Sequence, residues 1–129
     1  SKKKYMNKTI LLPCVSSYPL LAENCNFEKF NFLQHNFKEV GYSGHYQGIE
    51  DSVYALFKGA KLIEKHFTTD NKLPGRDNKF ALKKDEFIKL NNYRNLLNKF
   101  NISKGLDLQK CELDIFKNYR GRWSKNQNH

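Results

Sequence analysis

Proline and cysteine are both sparse in this sequence, with three of each among 129 residues. An odd cysteine count without paired spacing argues against a disulfide framework and for a reducing compartment, so a cytoplasmic location is expected. No apolar run approaches the ~20 residues of a membrane span, so no membrane partner is expected. The start, Ser1-Lys-Lys-Lys, is basic, but Ile10-Leu-Leu is far too short for the apolar core of a signal peptide. An initiator methionine is also missing, which fits a piece of something longer or a processed chain. A Gly-x-Gly-x-x-Gly run after a strand is absent, so a dinucleotide site is not indicated.

Acids are outnumbered, 13 against 23 basic residues, for a net charge of +10. The excess is not spread evenly. Residues 1–8 carry Lys2, Lys3, Lys4 and Lys8, residues 117–129 carry Lys117, Arg120, Arg122 and Lys125, and neither stretch holds an acid. The body between them has 15 basic and 13 acidic residues. A near-neutral body with basic ends is not a binding stripe, so no nucleic-acid partner is expected and the ends read as solvated.

What is present is one domain's worth of material, 39% apolar and 14% aromatic, enough to bury a core. Thr9-Ile-Leu-Leu-Pro-Cys-Val-Ser-Ser reads as a buried strand, with Pro13 awkward in its middle. Phe27, Phe30, Leu33 and Phe37 recur on one helical face, with Asn24 or Asn26 available to cap it. Lys38-Glu-Val-Gly-Tyr-Ser reads as a second strand. Ile49, Val53, Leu56 and Phe57 mark a second helical face, and Gly59 is placed to end that helix. Ala60 to Phe67 is a third strand. Residues 68–80 form a loop of turn formers. From Lys83 to Phe100 a longer helix carries Phe87, Leu90 and Leu97. Phe27, Phe30, Phe57 and Phe87 are all expected in the core, and Cys14 reads as core rather than nucleophile. Beyond Ile102 the signal fades, so residues 101–129 are expected to be an irregular tail or a short helix.

Strand, helix, strand, helix, strand, helix with short links predicts an α/β fold built on a parallel sheet. Sites in such folds lie at the C-terminal ends of the strands. Those ends are polar here: Ser16, Ser17 and Tyr18, then Ser43 and His45, then Glu64 and His66. Ser43 to Glu64 and His45 to His66 are the same distance along the chain. Side chains two apart on a strand share a face, so Ser43 sides with His45 and Glu64 with His66. In register, neighbouring strands would set the two imidazoles side by side, close enough to hold one divalent ion, with positions left open for water and substrate oxygens. Imidazole with oxygen donors suits Mn²⁺, Fe²⁺, Zn²⁺ or Co²⁺ equally by spacing alone. Glu64 beside such an ion could be a third ligand, a general base or a hydroxyl-binding group. Lys65 alternates to the opposite face, which makes it structural. Asp77 and Arg76, in the loop after the third strand, could overhang the site.

The motifs Cys14-Val-Ser-Ser-Tyr-Pro, Gly41-Tyr-Ser-Gly-His, Gly59-Ala-Lys-Leu-Ile-Glu-Lys-His-Phe-Thr and Leu73-Pro-Gly-Arg-Asp together resemble the sialic acid (N-acetylneuraminate) synthase family. That family includes the legionaminic, pseudaminic and spore-coat polysaccharide synthases. The likeness runs from about Ile10 to Leu97. It implies a partial TIM (β/α)₈ barrel of about three βα units, strands six to eight, with residues 1–100 as the C-terminal segment of the synthase domain. It implies condensation of phosphoenolpyruvate with an N-acetylated aldose such as N-acetylmannosamine to a nine-carbon 2-keto acid, with release of phosphate. His45 and His66 would be the ligands of a divalent ion, Mn²⁺ by the likeness. Ser43 would hold the phosphoenolpyruvate phosphate, with Ser16 nearby. Tyr18, Glu64 and Asp77 would contact the sugar, Glu64 as the catalytic carboxylate.

The sequence departs from the family pattern in two ways. Ser43-Gly-His-Tyr stands where the family usually has Ser-Asp-His-Thr. And 129 residues are about half of the ~250 that a (β/α)₈ barrel takes. The chain is therefore expected to be inactive alone, as a fragment or one half of a split enzyme. Its partners would be the missing barrel half, in the same or another chain, and a second copy in a homodimer. The competing expectation is a non-catalytic remnant of the barrel, kept as an interaction module.

Overall fold

The structure is a computed structural model and describes residues 9–121. A short 3₁₀ turn at Ala22–Asn24 leads into helix α1 (Phe27–Asn36), followed by strand β1 (Tyr42–Gly44), helix α2 (Glu50–Phe57) and strand β2 (Ile63–Lys65). A 3₁₀ turn at Asp77–Lys79 precedes helix α3 (Lys84–Phe100), and a third at Lys110–Glu112 precedes helix α4 (Leu113–Tyr119). The protein is α/β with parallel strands, as the alternation predicts. The basic residues of 1–8, with Arg122 and Lys125, lie outside the described residues. Among the described residues no helix is long and apolar enough to cross a membrane.

β1 and β2 pair in parallel, with Tyr42 opposite Ile63, Ser43 opposite Glu64 and Gly44 opposite Lys65. Single parallel bridges extend the sheet on both sides, Leu11 with Val40 and Phe67 with Leu82. The first segment is thus a single rung rather than the buried strand expected over Thr9–Ser17, and most of it is half-buried. It meets β1 through carbonyls: Leu11 accepts from the Gly41 N–H at 2.9 Å and Pro13 from the Ser43 N–H at 3.2 Å. Proline has no N–H to give in return, which interrupts the ladder there. The bridge at Leu82, just beyond the expected loop, adds a further parallel lane next to the third.

The core lies between α1, α2 and the sheet. Phe30, Val40, Tyr42, Ala55 and Ala60 are buried, with Phe27, Leu33, Phe37 and Ile63 packed against them. This is the α1 face read from the sequence. Phe30 is 0% exposed, and burying a phenylalanine side chain stabilises by roughly 1.5–3 kcal/mol. The α2 face is different from the one expected. Asp51, Ser52 and Ala55 face inward, while Phe57 is 65% exposed. Small and short side chains let α2 approach the sheet closely, and that approach turns Phe57 outward. On α3, Leu90 is buried and Phe87 half-buried, with the Phe87 ring 5.7 Å from that of Phe67. Glu86 accepts the Lys83 N–H at 2.9 Å and so caps the start of α3. Asn26 occupies the position before α1 with a positive φ of 47°, but its side chain makes no capping hydrogen bond. Gly59, at φ +95°, follows α2 in the conformation glycine adopts most freely.

Candidate functional site

The polar ends of the parallel lanes meet at one place. Ser43 and Glu64 are opposite each other in register, and the Ser43 hydroxyl donates to Glu64 Oε1 at 2.8 Å. Ser43 is buried and Glu64 exposed, so the serine anchors a carboxylate that stands in solvent. One rung further, the His45 and His66 rings lie 5.4 Å apart between centroids, at 58° to each other. The Val15 carbonyl lies 2.8 Å from His45 Nδ1 and accepts a hydrogen bond from it. That contact places the proton on Nδ1 and leaves Nε2 as the acceptor nitrogen of the ring.

Tyr18 stands between the imidazoles. Its hydroxyl oxygen is 2.5 Å from Nε2 of His45 and 2.5 Å from Nε2 of His66. Its ring packs on His45 at 4.2 Å and meets His66 edge-on at 5.2 Å. Partial burial raises the pKa of this phenol, and the charges of Asp77, Cys14 and Glu64 raise it further, so the hydroxyl keeps its proton. Asp77 reaches the site from the 3₁₀ turn that follows Pro74 and Gly75, with Oδ2 3.8 Å from His66 Nδ1. Arg76 is exposed beside it. Ser16 is at the edge, exposed, with its Oγ 3.7 Å from Cys14 Sγ. The structure therefore brings Tyr18, Ser43, His45, Glu64, His66 and Asp77 together, with Ser16 linked to them through Cys14.

Cys14, expected in the core, is instead half-buried at this site, with its sulfur 3.6 Å from His45 Nδ1. The strand carrying it has only one rung, so its side chain is not packed under a second layer. Asp51 was not anticipated at all. It forms a buried ion pair with Lys65, Nζ to Oδ1 3.0 Å, with side chains 1% and 2% exposed. The signal for it was Lys65 itself: a lysine on the helix-covered face of a strand needs an acid on that helix.

Two imidazole nitrogens aimed at one oxygen atom suit a pair of positions in the shell of a divalent ion that takes nitrogen and oxygen donors. Among the described residues no third His, Cys, Asp or Glu joins them to complete a set of three. An ion held by these two rings alone would keep its remaining positions open.

Residues 2–103 match the NeuB family. This chain belongs to that family. It is 38% identical over 78 residues to the N-acetylneuraminate-9-phosphate synthase of Drosophila melanogaster, covering 59% of this chain and 21% of that one. It is 42% identical over 79 residues to a pseudaminic acid synthase of Campylobacter jejuni, covering 60% and 23%. Among solved structures, the N-acetylneuraminic acid synthetase of Leptospira borgpetersenii superposes with a TM-score of 0.70 at 33% identity, over 90% of this chain and 41% of that one. The NeuB chain described here thus spans under a third of the length of these curated relatives. The resemblance drawn from the motifs is to the same group of synthases.

Proposed function

We propose that this NeuB-family chain supplies the ion-binding strand ends of a nonulosonic acid synthase site in the cytoplasm. Its place would be strands six to eight of a (β/α)₈ barrel, with residues 1–100 in the barrel and 101–129 as a tail. The reaction is condensation of phosphoenolpyruvate with an N-acetylated aldose such as N-acetylmannosamine. A carbon–carbon bond forms between the enol carbon and the aldehyde carbon. Water adds at the neighbouring carbon and phosphate leaves, giving a nine-carbon 2-keto acid. The observation that carries this reading is the convergence of His45 and His66 Nε2 on one point beside the Ser43–Glu64 pair.

His45 and His66 would hold the divalent ion, Mn²⁺ by family likeness. When bound there, such an ion supplies Lewis-acid polarisation of a carbonyl oxygen. The rest is the work of the chain's own groups. The Val15 carbonyl fixes the His45 tautomer and ring angle. Ser43 orients the Glu64 carboxylate, whose exposed oxygen is available to a sugar hydroxyl or to a proton in transit. Tyr18 and Asp77 offer a neutral donor and an anionic acceptor to the same sugar. Ser16, with Ser43, would face the phosphate of phosphoenolpyruvate. The other barrel strands, from the same or another chain, would close the site, and a second copy would complete it in a homodimer.

Phosphate release from phosphoenolpyruvate and N-acetylmannosamine tests this. The chain alone is expected to release none. Supplied with a purified barrel segment carrying strands one to five of a related synthase, it is expected to release phosphate, and His45→Ala to abolish that. Release that is indifferent to His45→Ala would overturn the assignment, and a competent isolated chain would overturn its incompleteness.

A further inference from the structure

The two histidines directly follow short strands, three residues each, so something other than ladder length must hold them in register. The candidate lies directly behind them. Lys65, next to His66, sends its Nζ to the Tyr46 carbonyl at 2.6 Å and to Asp51 Oδ1 at 3.0 Å. Tyr46 is next to His45. The ammonium therefore ties the backbone just past one histidine to the backbone just before the other. Asp51 is in turn fixed on α2, where Oδ1 accepts from the Ser52 N–H at 2.7 Å and the Ser52 hydroxyl at 3.2 Å.

The second carboxylate oxygen is buried and accepts no hydrogen bond among the described residues. It occupies the space over Gly44, where a Cβ would meet it at 2.3 Å. Glycine at 44 is thus what admits the carboxylate to the back of the strand pair. A buried ion pair contributes little net stability compared with a well-packed apolar pair, so stability alone does not account for it. Its hydrogen bonds, however, have a fixed geometry that apolar groups lack.

We propose that Asp51 and Lys65 are positioning residues: as one unit with Gly44 they set the separation of the His45 and His66 imidazoles. This rests on the ion-binding reading above, and its test is arranged to fail separately. Co²⁺ is titrated into the full 129-residue chain, followed by visible absorption, and the cross-ring NOE between His45 and His66 is measured without metal. In Asp51→Leu/Lys65→Met, an apolar pair replaces the ionic one. Thermal stability is expected to hold, while Co²⁺ affinity falls about 10–100-fold, the usual cost of losing an outer-shell partner, and the NOE weakens. Asp51→Asn, which keeps shape but not charge, is expected to lose affinity as well. A folded double variant with native affinity and native NOE overturns the proposal, and so does a folded Asp51→Asn with both. A native chain that takes up no Co²⁺ overturns the ion-binding reading instead, and the NOE then decides this one.

Discussion

The imidazoles of His45 and His66 lie 5.4 Å apart across adjacent parallel strands, on the same side of the sheet. Each presents Nε2 to the same point. Removing either ring leaves a single donor, so His45→Ala and His66→Ala are each expected to lower Co²⁺ affinity more than loss of an outer-shell partner does, by over about a hundredfold. Absorption titration of the full chain checks it, and a variant that binds as tightly as the native chain contradicts it.

Tyr18 competes for that point. Its hydroxyl engages both nitrogens, so an ion has to displace it. Tyr18→Phe keeps the ring packing and removes the competitor. Co²⁺ affinity is expected to be equal or greater, measured by the same titration. A marked loss would mean that the phenol oxygen is itself a ligand.

Gly44 has no room for a side chain. A Cβ would meet Asp51 Oδ2 at 2.3 Å and Tyr42 Cε1 at 2.8 Å. Gly44→Ala is expected to cost about 1–3 kcal/mol, the range for overpacking a tight interior. Urea unfolding monitored by circular dichroism gives the value.

Tyr42 sets an alkaline limit. Burial pushes its phenol well above the ordinary value of 10.0, and the Asp51 carboxylate pushes in the same direction. A group with a raised folded-state pKa contributes stability that is complete below the unfolded value and fades as pH climbs past it. Stability is therefore expected to fall above about pH 10, with one of the seven tyrosines silent at 295 nm until unfolding. Tyr42→Phe should flatten this pH dependence. A native spectrum in which every tyrosine titrates normally contradicts it.

Phe30 and Phe57 separate core from surface. Phe30 is fully buried, and Phe30→Ala is expected to cost about 3–5 kcal/mol. Phe57 is mostly exposed, and Phe57→Ala is expected to stay within about 0.5 kcal/mol of native. Equal losses in urea unfolding would contradict the orientation of α2.

Much of this was legible along the chain. The spacing of Phe27, Phe30, Leu33 and Phe37 fixes the buried face of α1, because helical periodicity is a local property. The equal spacing of Ser43 to Glu64 and His45 to His66, with the period of two along strands, places those four side chains together once the strands pair in register. The site motifs also carried the NeuB likeness. Other features depended on which face of one element meets another. α2 presents Asp51, Ser52 and Ala55 to the sheet rather than its more apolar stripe, since the close approach favours small side chains and Lys65 requires a counter-charge. Cys14 lies outside the core, on a segment joined to the sheet by a single bridge at Leu11. Tyr18 meets His66 across 48 residues, and Asp51 meets Lys65 across 14. Local pattern determines periodicity and polarity, whereas contacts between distant segments exist only after the chain has closed, and these decided the hydroxyl between the histidines and the ion pair behind them.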